Sequence, residues 1–390
     1  MDAKTAASLY EERMGRIKKA LSIEEPDRVP IYGMMEVTWP VHYAGYPIKE
    51  AVWDINTVIK AHEKLAIDFD FDIIDRFSLR SPLFYNSLGA KAWTQGQKNG
   101  IMQHIQVMAM QEDEYPELIA DPFAFIVNKI LPRLYTELAK PGLGSALALS
   151  KAATIMRNIT DETEGGIEKL KSEYGLPCLW GSLIHVPFEV VANQFRTIKG
   201  MVADIWRRPE QVEAACEQLL PLIVRFGKAC QRLKTNEVPS IYVPLHIGSY
   251  LRTKDFERLY WPTFKKLVET FNSEGYSITI FCEGDWTRFY DYLQELPPNK
   301  ILVTIEQADM RIAKEKLGNR MCLSGGYPLA LLQGGAKEEC IKKAKQIIDA
   351  AAPGGGYIFG FDKTLLAPGD VKIENLKAVI DVVRKYGVYK

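Results

Sequence analysis

The feature that most constrains this chain is a set of eight short apolar runs, rich in β-branched and aromatic residues and separated mostly by amphipathic stretches. They are RVPIYGMM (28–35), DFDIIDRF (70–77), PCLWGSLI (177–184), SIYVPLHI (240–247), SITIFCE (277–283), ILVTIEQ (301–307), MCLSGGY (321–327) and GYIFGF (356–361). Continuous apolar runs of this length suit strands buried on both faces of a parallel sheet. Helical periodicity fills the intervals. From Asp255 to Phe271 apolar residues recur every three or four positions, and from Lys337 to Ala351 the residues Cys340, Ile341, Ala344, Ile347 and Ile348 share one face. Strand–helix alternation that closes at eight predicts an α/β fold of the (β/α)8 TIM-barrel type. An open doubly wound sheet is the alternative. No GxGxxG or GxxxxGK[ST] pattern follows the first run, which counts against a dinucleotide or nucleoside triphosphate ligand.

The alternation breaks between about 89 and 175. AKAWTQGQKNGIMQHIQVMAM reads as a β-hairpin turning at Lys98-Asn99-Gly100, and a helical insertion follows that contains the glycine-broken PGLGSALALSK. With an N-terminal helical extension, residues 1–390 are expected to form one barrel domain whose insertion overlies the mouth. Lys+Arg and Asp+Glu both number 49 and no basic run is present, so nucleic acid is not an expected partner. No window approaches 18 apolar residues, and the charged, amphipathic N-terminus lacks the apolar stretch of a signal peptide. Six scattered cysteines without a CxxC pair favour reduced thiols. A cytoplasmic protein without a membrane span is the expectation.

Barrel active sites lie at the C-terminal ends of the strands. Polar residues stand there in number: Glu36, Asp75, His185, His246, Cys282, Glu283, Asp285, Glu306, Tyr327 and Asp362. Unpartnered polar groups at buried strand ends cost a few kcal/mol each, so they are expected to face a cavity, a metal or one another. Each also has a plainer role. Adjacent Asp75 and Arg76 read as a loop ion pair, His185 as a cavity or backbone-bonded histidine, and Glu306 as a hydrogen-bonded structural carboxylate. Gly248 behind His246 would admit a close backbone or ligand approach, and Gly325-Gly326 before Tyr327 would admit tight strand–helix packing. Side chains alternate along a strand, so in SITIFCEGDW Phe281 and Glu283 share a face and Cys282 takes the other. Cys282 and Glu283 therefore reach one metal only if the strand ends or twists near Gly284. A carboxylate or thiolate there with His246 would suit Zn2+.

In its order of segments the chain resembles the uroporphyrinogen decarboxylase superfamily, which also includes methyltransferases that work with corrinoid proteins. The resemblance is carried by ERMGRIKKALSIEEPDRVPI at the start, by GSY, DFERLYWPTFKKLVETFNSEG and CEGDW in the middle, and by MCLSGGYP and GGGYIFGFDKTLLAPGDVKIENLKAVIDVV near the end. Two departures stand out. The decarboxylases carry an arginine-rich stretch after the first strand that holds carboxylates, and here MMEVTWPVHYAGYP has no arginine. The thiol-methylating members carry a His-x-Cys zinc motif, and here Phe281 and Glu283 occupy those two positions.

What the resemblance then implies is a corrinoid-dependent demethylase component. Such an enzyme moves a methyl group from a methoxylated, here aromatic, donor to cobalt(I) of a cobalamin-binding corrinoid protein. On that reading Glu283, Asp285 and Glu306 are the catalytic candidates. Glu36, Trp39, His185, Trp286, Tyr327 and Phe361 would bind the small methylated substrate, and His246, Glu283 and Cys282 would hold Zn2+. A homodimer is compatible with this reading. A uroporphyrinogen-type decarboxylase and a non-catalytic ligand-binding barrel are the alternatives.

Overall fold

A computed structural model describes residues 3–77, 79–231, 238, 240–367 and 369–390. All eight apolar runs supply strands. The strands are β1 (Tyr32–Gly33), β2 (Ile73–Asp75), β3 (Trp93–Gln95), β4 (Met102–His104), β5 (Cys178–Leu179), β6 (Ser182–Leu183), β7 (Ile241–Leu245), β8 (Ile278–Asp285), β9 (Ile301–Gln307), β10 (Cys322–Tyr327) and β11 (Tyr357–Phe361). One parallel sheet has the order β1-β2-β5 and a second the order β6-β7-β8-β9-β10-β11. The third run is divided because Trp180 adopts φ +43°, a left-handed backbone that an L side chain rarely takes. Parallel bridges Ile31–Phe359 and Met35–Leu365 link the first strand region to the last. Neighbours thus follow chain order throughout an α/β parallel arrangement. β3 and β4 form the expected antiparallel hairpin, with Gly100 at φ +73° in its turn.

The two sides of the strands carry different cores. Tyr32, Ile73, Leu179, Phe281, Leu302, Cys322 and Ile358 converge in one cluster, joined by Met14, Ile17 and Ala20 of the N-terminal helix Ala3–Leu21. Their neighbours along the strands, among them Val243, Leu245, Ile280, Cys282, Val303, Ile305 and Leu323, pack with the surrounding helices in a second cluster. Two-residue alternation explains the split. Of the insertion, the 32-residue helix Leu143–Tyr174 packs against Ile55–Asp68 and the N-terminal helix. Among the described residues no helix is long and apolar enough to cross a membrane.

A buried ion network ties the N-terminal helix to the first two strands. Asp72 is fully buried and accepts from Arg16 Nη1 at 2.6 Å, from Arg28 Nη1 and Nη2 at 2.7 and 2.9 Å, and from the Ile31 backbone N–H at 2.8 Å. Arg16 also bonds Asp27 and Glu12. Removing one partner from such a cluster leaves guanidinium charge uncompensated in a low dielectric, which costs about 3–5 kcal/mol. Asp72→Asn is therefore expected to lower the free energy of unfolding by that amount, read as a lower urea midpoint with the slope of the transition unchanged. A midpoint within error of the parent's would show that the network carries no net stability.

Candidate functional site

Two constellations of polar residues lie at the C-terminal ends of the strands. The first is built on the segments after β6 and β7. His185 follows β6 by two residues in a non-helical segment, and Glu189 closes the short helix Pro187–Glu189 that comes next. His246 directly follows β7. His185, Glu189 and His246 each offer one ligand atom, and these atoms all lie within 4.8 Å of one another. Glu189 is fully buried; its Oε1 accepts from Tyr260 Oη at 2.8 Å and from the Ile247 N–H at 3.0 Å, while its Oε2 has no partner. His185 Nδ1 is also buried without a partner. Burial pushes the Glu189 carboxyl up to about 7, against the pull of His246 and the Ile247 N–H. Burial, and then the charge of His246, press His185 down to about 4, so its imidazole is neutral at pH 7.

The end of β8 completes this group. A register shift against β9 falls between Cys282 and Asp285, and Gly284 there takes φ +77°. A side chain at 284 would also meet Ser249 Oγ at 2.6 Å. The strand therefore bulges and does not stop, which leaves Glu283 and Cys282 on opposite sides. His246 Nδ1–H donates to Glu283 Oε1 at 2.8 Å. Burial lowers the pKa of His246, but the Glu283 hydrogen bond and the charge of Glu189 outweigh it, and the net shift is upward. Because Nδ1 faces Glu283, Nε2 is the atom left to face the cluster, the arrangement in which an outer carboxylate orients a ligating histidine.

Cys282 is fully buried among the helices, which pushes its thiol well up, and it takes no part in the group. Asp285 is exposed, with Oδ1 accepting from the Thr287 N–H at 2.9 Å as a turn cap. Glu306 Oε2 accepts from the Gly284 N–H at 2.6 Å and its Oε1 faces Lys363 Nζ at 3.2 Å, so it braces the bulge. Trp39, Trp286, Tyr327 and Phe361, expected to bind substrate, all lie in the helix-facing core. Trp39 stacks on Tyr43. Trp286 fills the space left by Gly248, where a side chain would meet its Cη2 at 2.6 Å. Tyr327 Oη donates to the Cys340 carbonyl at 3.1 Å, and Phe361 packs edge-on to it. Both sit at odd positions whose even neighbours point the other way, a distinction that residue type alone does not reveal.

The second constellation surrounds Asp75, which does not pair with Arg76; the ion-pair partner of Arg76 is Glu164. Asp75 Oδ1 accepts from Tyr32 Oη and from Trp180 Nε1, the latter at 3.0 Å, and Oδ2 accepts from the Met35 N–H at 3.0 Å. Burial raises its pKa to about 7 even against these three donors. The strained backbone at Trp180 is what brings its indole to Asp75 and its ring onto Tyr242, centroids 5.3 Å apart. Asp75, Trp180 and Tyr242, with Met35, Glu36, Phe77, Arg80 and Leu183, line a cleft of about 100 Å³. Arg80 Nη1 donates to both oxygens of Glu36 at 2.8 Å.

The sequence reading placed Glu36, His185, His246 and Glu283 at these ends but passed over Glu189, Arg80, Trp180 and Tyr242. His185 and Glu189 stand on either side of a strand-to-helix junction, so no single periodicity pairs them in the sequence. Arg80 lies on a loop with no periodicity to mark it.

A match to the family described as uroporphyrinogen decarboxylase (URO-D) covers residues 164–386. A uroporphyrinogen decarboxylase of Anaeromyxobacter dehalogenans (strain 2CP-C) is 27% identical over 140 residues, which is 35% of this chain and 38% of that protein. The chain thus spans little more than a third of that relative's length. A solved methyltransferase from Methanosarcina mazei has a TM-score of 0.59 and 14% identity, covering 96% of this chain and 98% of its own, a likeness of fold.

The raised pKa of Asp75 makes stability depend on pH. An acid whose folded pKa lies above its unfolded value of about 3.9 stabilises the fold fully below that value and loses the contribution as pH rises towards about 7. The loss amounts to at most about 4 kcal/mol. Denaturation between pH 4.5 and 7.5 is therefore expected to show the parent losing stability relative to Asp75→Asn. Parallel curves for the two proteins would rule out a proton held there.

Proposed function

Because the chain belongs to the uroporphyrinogen decarboxylase family, a family of enzymes, we propose that it is a methyltransferase that takes a methyl group from a methoxylated aromatic donor and passes it to the cobalt(I) of a separate corrinoid protein. The order of strand pairing, with its bridges from first to last, is read as a closed (β/α)8 barrel forming one domain, with residues 89–175 laid over its mouth. The observation that carries the reading is the His185–Glu189–His246 cluster with its two orphaned buried atoms. Buried polar atoms without partners are rare unless a ligand satisfies them. Two imidazoles and a carboxylate match the donor set of a catalytic zinc site that keeps one position open. The solved structure with this fold is itself a methyltransferase.

In the reaction the cobalt(I) substrate supplies the electron pair for the new bond to the methyl carbon. The carbon–oxygen bond breaks, and the oxygen keeps its pair and takes up a proton. Zn2+ bound at the cluster would supply Lewis acidity that makes this oxygen a better leaving group. The chain's own residues do the rest. Glu283 fixes the tautomer and orientation of His246. Tyr260 and the Ile247 N–H hold Glu189 with Oε2 free. Asp75 retains a proton in the cleft near neutral pH, available to the departing oxygen. Glu283 therefore acts on the imidazole and not as a direct ligand.

A second reading is decarboxylation, favoured by the 27% identical relative. An octacarboxylate would need several cations. Of the arginines lining the cleft, Arg76 is paired with Glu164 and Arg80 with Glu36.

Mixing the protein with a cobalt(I) corrinoid and methoxylated aromatics under reducing conditions is expected to shift the visible spectrum as the methyl group arrives on cobalt. Glu189→Gln is expected to lose bound zinc, and Glu283→Gln to retain it with a loss of about 10–100-fold in rate. No spectral change with any donor would overturn the methyl-transfer reading, and carbon dioxide release from uroporphyrinogen would favour the second.

A further inference from the structure

The peptide unit that joins Glu283 to Gly284 is held on both of its polar edges. Its N–H donates to Glu306 Oε2 at 2.6 Å. Its carbonyl accepts from Ser249 Oγ at 2.8 Å and from Trp286 Nε1 at 2.9 Å. The three partners come from different places: Glu306 from β9, Ser249 from the turn after β7 and Trp286 from just past β8. This peptide is the bulge itself. Cys282 pairs with Ile305 and Asp285 with Gln307, so Glu283 and Gly284 together stand opposite the single residue Glu306. A bulge leaves its extra residue without a ladder partner, and here the Glu306 side chain supplies one.

Gly284 needs that outside support. Glycine takes either sign of φ at little steric cost, so its own conformation does not keep the bulge at φ +77°. Glu306 is itself steadied by Lys363 Nζ, 3.2 Å from its Oε1, in the segment that follows β11. An ionised carboxylate makes a stronger bond to a backbone N–H than a carbonyl does. A bulge sets the direction of the side chain it carries. Glu283 meets His246 Nδ1 through one bond of 2.8 Å, and such a bond weakens quickly with displacement. The line of contacts thus runs from Lys363 through Glu306 and the 283–284 peptide to Glu283 and on to His246.

We propose that Glu306 is a positioning residue for the cluster of His185, Glu189 and His246. By holding the Glu283–Gly284 peptide it fixes the bulge, and the bulge sets Glu283 where it orients His246. Glu306 is not one of the three ligands and acts only through Glu283. The consequence for zinc rests on the proposed metal site, while the hold on the peptide can be measured without any metal.

Two measurements on the full chain test it. The first is zinc affinity, from titrations of Zn2+ against a chromophoric chelator. Glu306→Ala is expected to weaken Zn2+ about tenfold and Glu283→Ala about 10–100-fold, as when the outer partner of a ligating histidine is lost. Glu306→Gln, whose amide oxygen still accepts from the Gly284 N–H, should keep most of the parent's affinity. Because Glu306 acts through Glu283, the double variant should bind no more weakly than Glu283→Ala alone, whereas a merely structural role would multiply the two losses. The second is the amide proton of Gly284 in glycine-labelled protein. It should lie downfield in the parent and in Glu306→Gln and move upfield in Glu306→Ala. Thermal melts establish that each variant is folded. Lys363→Met, at an exposed side chain, should move both quantities in the same directions by less, and takes the place of Glu306→Ala if that variant does not fold. An unchanged affinity or amide shift in the folded variant, or losses that multiply in the double variant, would overturn the proposal. A parent that binds no zinc, but whose Gly284 amide answers to Glu306, sinks the metal site and keeps the hold on the peptide. Zinc bound equally by the parent and Glu306→Ala keeps the metal site and sinks the positioning role.

Discussion

Strand alternation decides which residues of this protein meet. Successive side chains of a strand point to opposite sides, and here the parallel strands follow one another in chain order with bridges from the first region to the last. One side collects Tyr32, Phe281, Leu302 and Ile358, and the other collects Cys282, Tyr327 and Phe361 with the helices. Near the strand ends the first side becomes polar. His246 and Glu283 extend it on neighbouring strands and so come into hydrogen-bond contact. A shift of one residue in either strand would exchange Glu283 for Cys282 and dismantle the pair.

The buried carboxylates divide by the company they keep. Asp72 sits against two guanidinium groups and serves as a tie between the N-terminal helix and the strands. Asp75, three residues on, has only neutral donors, and burial leaves it at about 7. Glu189 has no arginine either, and burial leaves it at about 7 against the pull of His246, with one oxygen unpartnered. A carboxylate compensated by arginines suits structure. One buried without such charge compensation suits proton or metal chemistry, and perturbed groups of this kind concentrate at functional sites.

The strain at Trp180 belongs to the same division of labour. A tryptophan at φ +43° interrupts a strand, a conformation that persists only where its surroundings over-determine it. The interruption separates β5 from β6, places the indole against Asp75 and sets the wall on which Tyr242 stacks. The hairpin of the insertion closes the opposite side through Trp93 and Arg80. The cleft is thus assembled from the ends of several strands, a kinked backbone at Trp180 and one loop arginine that the inserted hairpin braces.

Much of the fold was legible in the chain. Eight short apolar runs became strands, and the Lys98-Asn99-Gly100 turn became a hairpin, because hydrophobic periodicity and turn chemistry act locally. The polar character of the strand ends, with His185, His246 and Glu283 among them, was legible for the same reason. Partnership was not. Asp75 turned from Arg76 to Tyr32 and Trp180, Gly248 made room for Trp286 and not for a ligand, and Glu189 entered from a helical turn. Arg80 reached the cleft from a loop whose neighbours in sequence lie elsewhere. The amino-acid sequence by itself determined the strands, their order and the polarity of their ends, since these follow from local propensity and burial. Tertiary structure alone decided which polar groups share a cavity, which are neutralised by a charge and which are left free, since those depend on contacts between segments far apart in the chain.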